Sequence, residues 1–413
     1  MREFILQRFY FDVLARNGAA LVALSGLLSL VPAYNYLRWG RLKVLEFILL
    51  VFFAVLGGFM MVSGRDVITI FIGLETMAVS AYALAGYNTS DLLSAEAAGK
   101  YFVMGATAGA FFIFGAGLFY GATGSLTVAG AVVTNQALAY LSAAFIFAGL
   151  CFKVSAFPMQ WWVPDVYQGA PIPSTVFFAT AVKAAAFVAF LRIFSGMLVP
   201  SGAALTQVIS VIAVLTMSFG NLCAMFQDDL KRMLAYSSIA HAGYILLAFV
   251  VLPADAVLAV SAVSFYLLAY ILMTAGAFVS LILVSGAREK TQASSLSGLG
   301  RRSPIMAFMF TLFMISLAGF PPTAGFLAKF YVLKALMSYN HWGLAAIAAA
   351  NVLISIYYYM RPVVITYFGD PDESVAPMNN SNLSAIWIVL FCAVATILLG
   401  IFPKVILTLL GVA

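Results

Sequence analysis

The sequence predicts an all-α polytopic membrane protein of about twelve transmembrane helices, with two inverted repeats that each contain a discontinuous helix. Three observations carry this. Of 413 residues, 64% are hydrophobic and only 9% charged, with a mean hydropathy of +1.05, so too little polar surface exists to clothe a water-soluble globule. Apolar segments of roughly 20 residues, the length that crosses a hydrocarbon core, follow one another from end to end. Two of them are interrupted by proline beside a lysine, Lys153 with Pro158 and Lys329 with Pro321 and Pro322. Interrupted helices at corresponding places in two halves mark inverted repeats around a midplane ion site.

In order, the spans lie at Leu14 to Leu37, Val44 to Met61, Val67 to Tyr87, Lys100 to Tyr120, Leu138 to Trp162 and Ser174 to Phe194. The second half continues with Ala204 to Phe226, Met233 to Leu252, Val257 to Val284, Ile305 to Tyr331, Leu344 to Tyr367 and Leu383 to Leu410. We read a single integral membrane domain over 1–413: a lead-in and two helices (1–62), a first repeat (63–203), a second repeat (204–368), and a loop with the last helix (369–413). The opening Met1 to Asp12 alternates charge with aromatics and lacks the apolar core and cleavage site of a signal peptide, which makes it an amphipathic lead-in.

The formal charge of +6 comes from 21 Lys and Arg scattered between spans, not gathered on one face as nucleic acid would require. An outside N-terminus puts Arg38, Arg41, Lys43, Lys100, Lys231, Arg232, Arg288, Lys290, Arg301, Arg302 and Arg361 in inward loops, against Arg65, Arg192 and Lys404 outward. Positive charge in short loops marks the cytoplasmic side, so both termini are expected on the periplasmic side; Arg2, Arg8 and Arg16 run against the rule. Cys151, Cys223 and Cys392 lie in apolar stretches without Cys-x-x-Cys spacing, which reads as packing and not as disulfide, zinc or iron–sulfur ligation. Gly298-Leu-Gly300 follows no strand and precedes no phosphate-binding lysine. The small-residue pairs Gly105 with Gly109 and Gly117 with Gly121 suggest close helix packing.

The chemistry is expected at the charges within the spans. Pro158 removes a backbone donor and clashes one turn back, so the helix should break beside Lys153, and a charged side chain there must face protein or water. A lysine snorkelling from a helix end is the alternative. Lys183 recurs within an apolar run and Lys329 again beside prolines, and Glu75 supplies a carboxylate, either as the counter-charge of a lysine or as a partner within a helix contact. A desolvated lysine near a carboxylate sits where small changes alter its charge, which makes a proton switch. His241, among hydroxyls, suits a relay or a hydrogen-bonded interior histidine. His341 beside Trp342 reads as interfacial, Lys334 as snorkelling outward, and Lys231 with Arg232 as topology determinants paired locally to Asp228 and Asp229.

Several stretches resemble one known family. They are Gly73-Leu-Glu75, Phe152-Lys-Val-Ser-Ala-Phe-Pro158, Trp162-Val-Pro-Asp-Val-Tyr-Gln-Gly-Ala-Pro171, Ala179-Thr-Ala-Val-Lys183, the run from Lys231 to Tyr244, and Ser316 to Tyr331. Together they resemble the antiporter-like membrane subunits of respiratory complex I (NADH-quinone oxidoreductase), and within them the N-type subunit, over nearly the whole chain. The tryptophan-to-proline stretch is specific; the glutamate motif alone is not. The resemblance implies that Glu75 lies near a bundle interface, that Lys153 and Lys329 sit on two broken helices, and that Lys183 connects them along a hydrated axis responding to quinone reduction elsewhere. It also implies a chain in the bacterial inner membrane with no cofactor of its own; quinone, NADH, FMN and iron–sulfur clusters belong to other subunits. The implied partners are the M-type antiporter-like and the K-type and J-type small subunits, with lipids around them. Compared with fourteen-helix N-type subunits the chain looks shortened at its N-terminus, and it lacks the lateral helix of the L-type. An Mrp-type cation/proton antiporter subunit, a membrane-bound hydrogenase subunit and a structural spacer are the competing readings.

Overall fold

The computed structural model describes residues 8–285, 291–370 and 382–409. Among them the only strand-like pairings are three isolated bridges, Phe9 with Gly64, Asp66 with Thr127, and Asp229 with Gln292; every regular element is helical. Helix α1 (Val13–Trp39) starts where the Asp12 carboxylate accepts the Ala15 N–H at 2.8 Å, a short polar side chain satisfying a helix-end donor. α2 (Val44–Ser63) and α3 (Val67–Ala85) follow, the latter capped by Asp66, which accepts from both the backbone and the hydroxyl of Thr69 at 2.8 Å. α4 (Leu92–Thr123) leads to α5 (Gln136–Val154) and the short α6 (Trp162–Gly169). α7 (Ile172–Phe177), a π turn (Phe178–Val182) and α8 (Lys183–Ala224) run on without interruption. After α9 (Leu230–Phe249) and α10 (Ala256–Ser285), the short α11 (Leu299–Arg302) precedes α12 (Pro304–Ala318) and α13 (Ala324–Ser338). α14 (Trp342–Phe368), α15 (Leu383–Ile401) and the short α16 (Pro403–Leu409) close the chain.

Ten stretches in these helices are long and apolar enough to cross a membrane, where the sequence predicts about twelve spans. The difference has two physical sources. The expected span Met233 to Leu252 forms α9, whose Lys231, Arg232, serines and His241 dilute its hydropathy. The expected span Ile305 to Tyr331 is two pieces, α12 and α13, separated at Gly319 to Thr323. The expected gap between Phe194 and Ala204 is also absent as a helix boundary, because α8 continues through it.

The spans differ sharply in burial. Within Ile172–Gly196 and Ala256–Ser285, 94% of the most apolar window is enclosed by protein, against 33% in α2, α14 and α15. The two enclosed spans form the core, and the others present large apolar side chains such as Val103, Leu353 and Trp387 outward. Lipid tails are as apolar as leucine, so contact between such helices depends on close approach of backbones. A Cβ on Gly57 would lie 2.5 Å from the Met77 amide nitrogen, so α2 and α3 touch main chain to main chain. The same device recurs between α8 and α9, where a Cβ on Gly243 would lie 2.5 Å from the Met217 amide. Each such pair is followed by one long helix, α4 or α10, and then by a broken helix, α5 with α6 and, after the short α11, α12 with α13.

Candidate functional site

The first break begins one residue beyond Lys153. α5 ends at Val154, and Ser155 at φ 67° turns the chain out of the helix. The Ala156 N–H returns to the Cys151 carbonyl at 2.8 Å, while Trp162 reaches back across the gap to donate to the Phe152 carbonyl at 3.0 Å. Phe157 donates its N–H to Thr216 of α8 at 2.9 Å, so the non-helical segment, which includes the cis Phe157–Pro158 bond, has its backbone satisfied by protein, as hydrocarbon demands. Lys153 is 2% exposed. Its ammonium lies 5.4 Å from the Tyr82 ring centroid, 5.9 Å from that of Tyr101 and 5.4 Å from that of Phe152, which rules out snorkelling to headgroups. Glu75 lies on α3, seven residues before Tyr82.

Lys183 follows directly on the π turn, a one-turn widening of the helix often found at functional positions. It is 1% exposed and donates to the Ser238 carbonyl of α9 at 2.6 Å. One turn further along α9, His241 hydrogen-bonds Tyr266 at 2.8 Å through Nδ1 and Tyr359 at 3.2 Å through Nε2. The Tyr359 hydroxyl also pairs with Ser237. The Tyr270 ring, 5.2 Å from the imidazole, lies 6.0 Å from the Lys183 ammonium, and the Tyr244 ring, 6.1 Å from the imidazole, lies 5.2 Å from the Lys329 ammonium.

Lys329 resolves the reversed order of proline and lysine in the second half. Although it lies on α13, its ammonium turns back to the last turn of α12 and donates to the Leu317 and Ala318 carbonyls at 2.9 and 2.8 Å. Those carbonyls are orphaned by the helix end and carry its partial negative charge. Gly319, at φ +93°, makes the turn that exposes them, and the cis Pro321–Pro322 bond follows. The two lysines therefore occupy the same place in the architecture, the C-terminal end of the first half-helix, from opposite sides of the break.

The family model of the NADH:quinone oxidoreductase/Mrp antiporter transmembrane region matches residues 64–355. NADH-quinone oxidoreductase subunit N 1 of Sorangium cellulosum is 42% identical over 412 residues, covering 95% of this chain and 80% of the relative. The chain belongs to the NADH-quinone oxidoreductase subunit N family. A second subunit N, from Solibacter usitatus, is 40% identical over 92% of the chain. Among solved structures, a chain of respiratory complex I from Thermus thermophilus superposes with a TM-score of 0.83 at 35% identity, covering 96% of this chain and 86% of that one. A chain of the Mrp complex from Dietzia superposes with a TM-score of 0.84 at 20% identity, a likeness of fold.

Within this subunit N chain, Lys153, Lys183, His241 and Lys329 are all buried near the helix breaks or the two core spans. Lys231 departs from its expected place among loop charges. It is 1% exposed and donates to the Ala170 carbonyl at the end of α6 at 2.7 Å, a third lysine on the C-terminal end of a half-helix. Its acidic and basic neighbours make it read as a loop residue, and nothing local reveals the distant carbonyl. Arg232 does take the surface role, pairing with Asp165 at 2.7 Å, which Lys100 also pairs at 2.6 Å. The tyrosines that hold His241, Tyr266 and Tyr359, read in sequence as ordinary membrane aromatics.

The glycines in α4 also differ from expectation. A Cβ on Gly109 would lie 2.5 Å from Glu75 Oε1, and one on Gly105 2.0 Å from the Tyr82 hydroxyl, so these glycines make room for polar groups of α3. Gly117 faces open space and Gly121 nearly so. Close backbone packing of α4 on α5 comes instead from Gly115, whose Cβ would lie 2.8 Å from the Ile146 amide.

Proposed function

We propose that this subunit N chain translocates protons, coupling quinone reduction in its partner subunits to charge changes along Glu75, Lys153, Lys183, His241 and Lys329. The observation that carries the reading is the set of lysines and a histidine enclosed beside the helix breaks and core spans. Lys183 and Lys329 each lie against a tyrosine ring that touches a histidine held by two tyrosine hydroxyls, and Lys153 lies against Tyr82, on the same helix as Glu75. An ionisable group inside a membrane is costly, and several of them linked through polar side chains make a proton route rather than a packing motif. Moving one charge against 100 mV takes about 2.3 kcal/mol, so the chain needs a driver. NADH, FMN, iron–sulfur clusters and quinone then belong to the partner subunits of a bacterial inner-membrane complex, with M-type, K-type and J-type subunits as neighbours and both termini in the periplasm.

The test is Lys153→Ala in the assembled complex, reconstituted in vesicles. Quinone-coupled proton uptake should fall about tenfold or more while the complex still assembles; unchanged uptake at normal expression removes Lys153 from the mechanism. Sodium-dependent proton movement in vesicles without quinone would instead support the antiporter reading.

A further inference from the structure

Three buried oxygens cluster around the first lysine without hydrogen-bond partners: Glu75 Oε1, the Tyr82 hydroxyl and the Tyr101 hydroxyl. Tyr82 is 7% exposed and Tyr101 fully buried. The two rings meet edge to face at 4.9 Å, and the Lys153 ammonium lies against both. Glu75 and Tyr82 are seven residues apart, hence on one face of α3, and each points its oxygen into a cleft of α4 that only glycine leaves open, at Gly109 and Gly105 respectively. An orphaned hydroxyl inside a membrane protein costs stability, and phenylalanine would pack in its place without that cost. Buried water holds its place where two to four polar partners converge, and this cluster offers four.

We propose that the Tyr82 hydroxyl is the proton relay that links Lys153 to Glu75 through bound water, in a small wet chamber enclosed by α3, α4 and α5. This rests on the proton-translocating reading above and deepens it. The step conserves protons. The Lys153 ammonium releases one to water, the water passes one to the phenol oxygen, and the phenol proton moves to the Glu75 carboxylate. Lys153 and Glu75 end neutral, and Tyr82 keeps its original proton count. Tyr101 supplies a further anchor for the water, and its stacking on Trp162 at 4.4 Å ties the chamber wall to the helix break.

Tyr82→Phe removes the hydroxyl and keeps the ring beneath Lys153. In the whole complex in proteoliposomes, with Lys153→Ala in parallel, quinone-coupled proton uptake by Tyr82→Phe should drop about threefold or more, and the H2O/D2O ratio of uptake should rise, at undiminished assembly and thermal stability. Wild-type uptake and isotope ratio in Tyr82→Phe, with Lys153→Ala defective, overturns the role of Tyr82 and leaves the proton-translocating reading standing; wild-type uptake in Lys153→Ala removes Lys153 from the mechanism and this link with it. If Tyr82→Phe lowers assembly, 3-fluorotyrosine at position 82 decides, since it keeps the shape and acidifies the hydroxyl. A shifted pH profile of uptake supports the link, and an unshifted one overturns it.

Discussion

A lysine in a membrane span is stabilised here by what lies at the end of a helix. Lys329 on the Leu317 and Ala318 carbonyls and Lys231 on the Ala170 carbonyl each satisfy acceptors that a helix end leaves orphaned. Removing such a partner leaves a buried carbonyl unpaired at a cost of about 1–3 kcal/mol, so Lys231→Met should lower the thermal unfolding temperature of the purified complex; no change would mean that Ala170 finds water. Gly109→Ala is the sharper residue-scale prediction. Its Cβ would lie 2.5 Å from Glu75 Oε1, so the carboxylate must move, and proton uptake should fall in Gly109→Ala and in Glu75→Gln alike. Normal uptake in Gly109→Ala would show that the carboxylate's position is free. The charged members of this site are legible in sequence because a lone Lys, Glu or His stands out against an apolar run. Tyr82, Tyr266 and Tyr359 are not, because a tyrosine in a membrane span announces nothing until its hydroxyl is seen orphaned or bonded.

At the scale of elements, the proline rules work because they are local. Pro158 and the Pro321–Pro322 pair remove donors and exclude helical neighbours, and the helices do stop at Val154 and Ala318. Which half of a broken helix carries its lysine is equally readable. That the Lys329 amine returns to the end of the preceding half-helix is not, because it depends on Lys329 folding back over Gly319. The crossing behind it is tight: a Cβ on Gly325 would lie 1.8 Å from the Ser316 carbonyl oxygen, and that contact is main chain, which cannot rotate aside. Gly325→Ala should therefore displace α13 from α12, destabilising the complex by about 1–3 kcal/mol and lowering proton uptake with it. Wild-type melting and uptake would show that the second break tolerates separation.

On the scale of the whole molecule, distant parts are joined by a few polar ties at the rims of an apolar bundle. Asp12, capping α1, pairs with Arg192 of α8 at 3.0 and 3.1 Å, and that guanidinium also stacks over Tyr10 at 4.5 Å. Partial burial alone would raise the Asp12 carboxyl, but hydrogen bonds from Arg192 and the Ala15 N–H outweigh it and hold the group below its usual 3.8. A carboxylate held down in the folded state adds stability that is complete above the unfolded value and fades as pH falls through it toward the folded one. Asp12→Asn should thus flatten the acid side of a melting-temperature profile around pH 4 and below, and an unchanged profile would make the tie silent. In the proposed function Lys183 and Lys329, each against a tyrosine ring that touches His241, belong to one route. It is tested most directly by quinone-coupled proton uptake in vesicles holding the assembled complex with Lys183→Ala, Lys329→Ala, or both. Groups that act as a unit lose their effect together, so each single variant should be impaired and the double variant no worse than the poorer single. Wild-type uptake in either single variant, or losses that multiply in the double, would contradict a shared route.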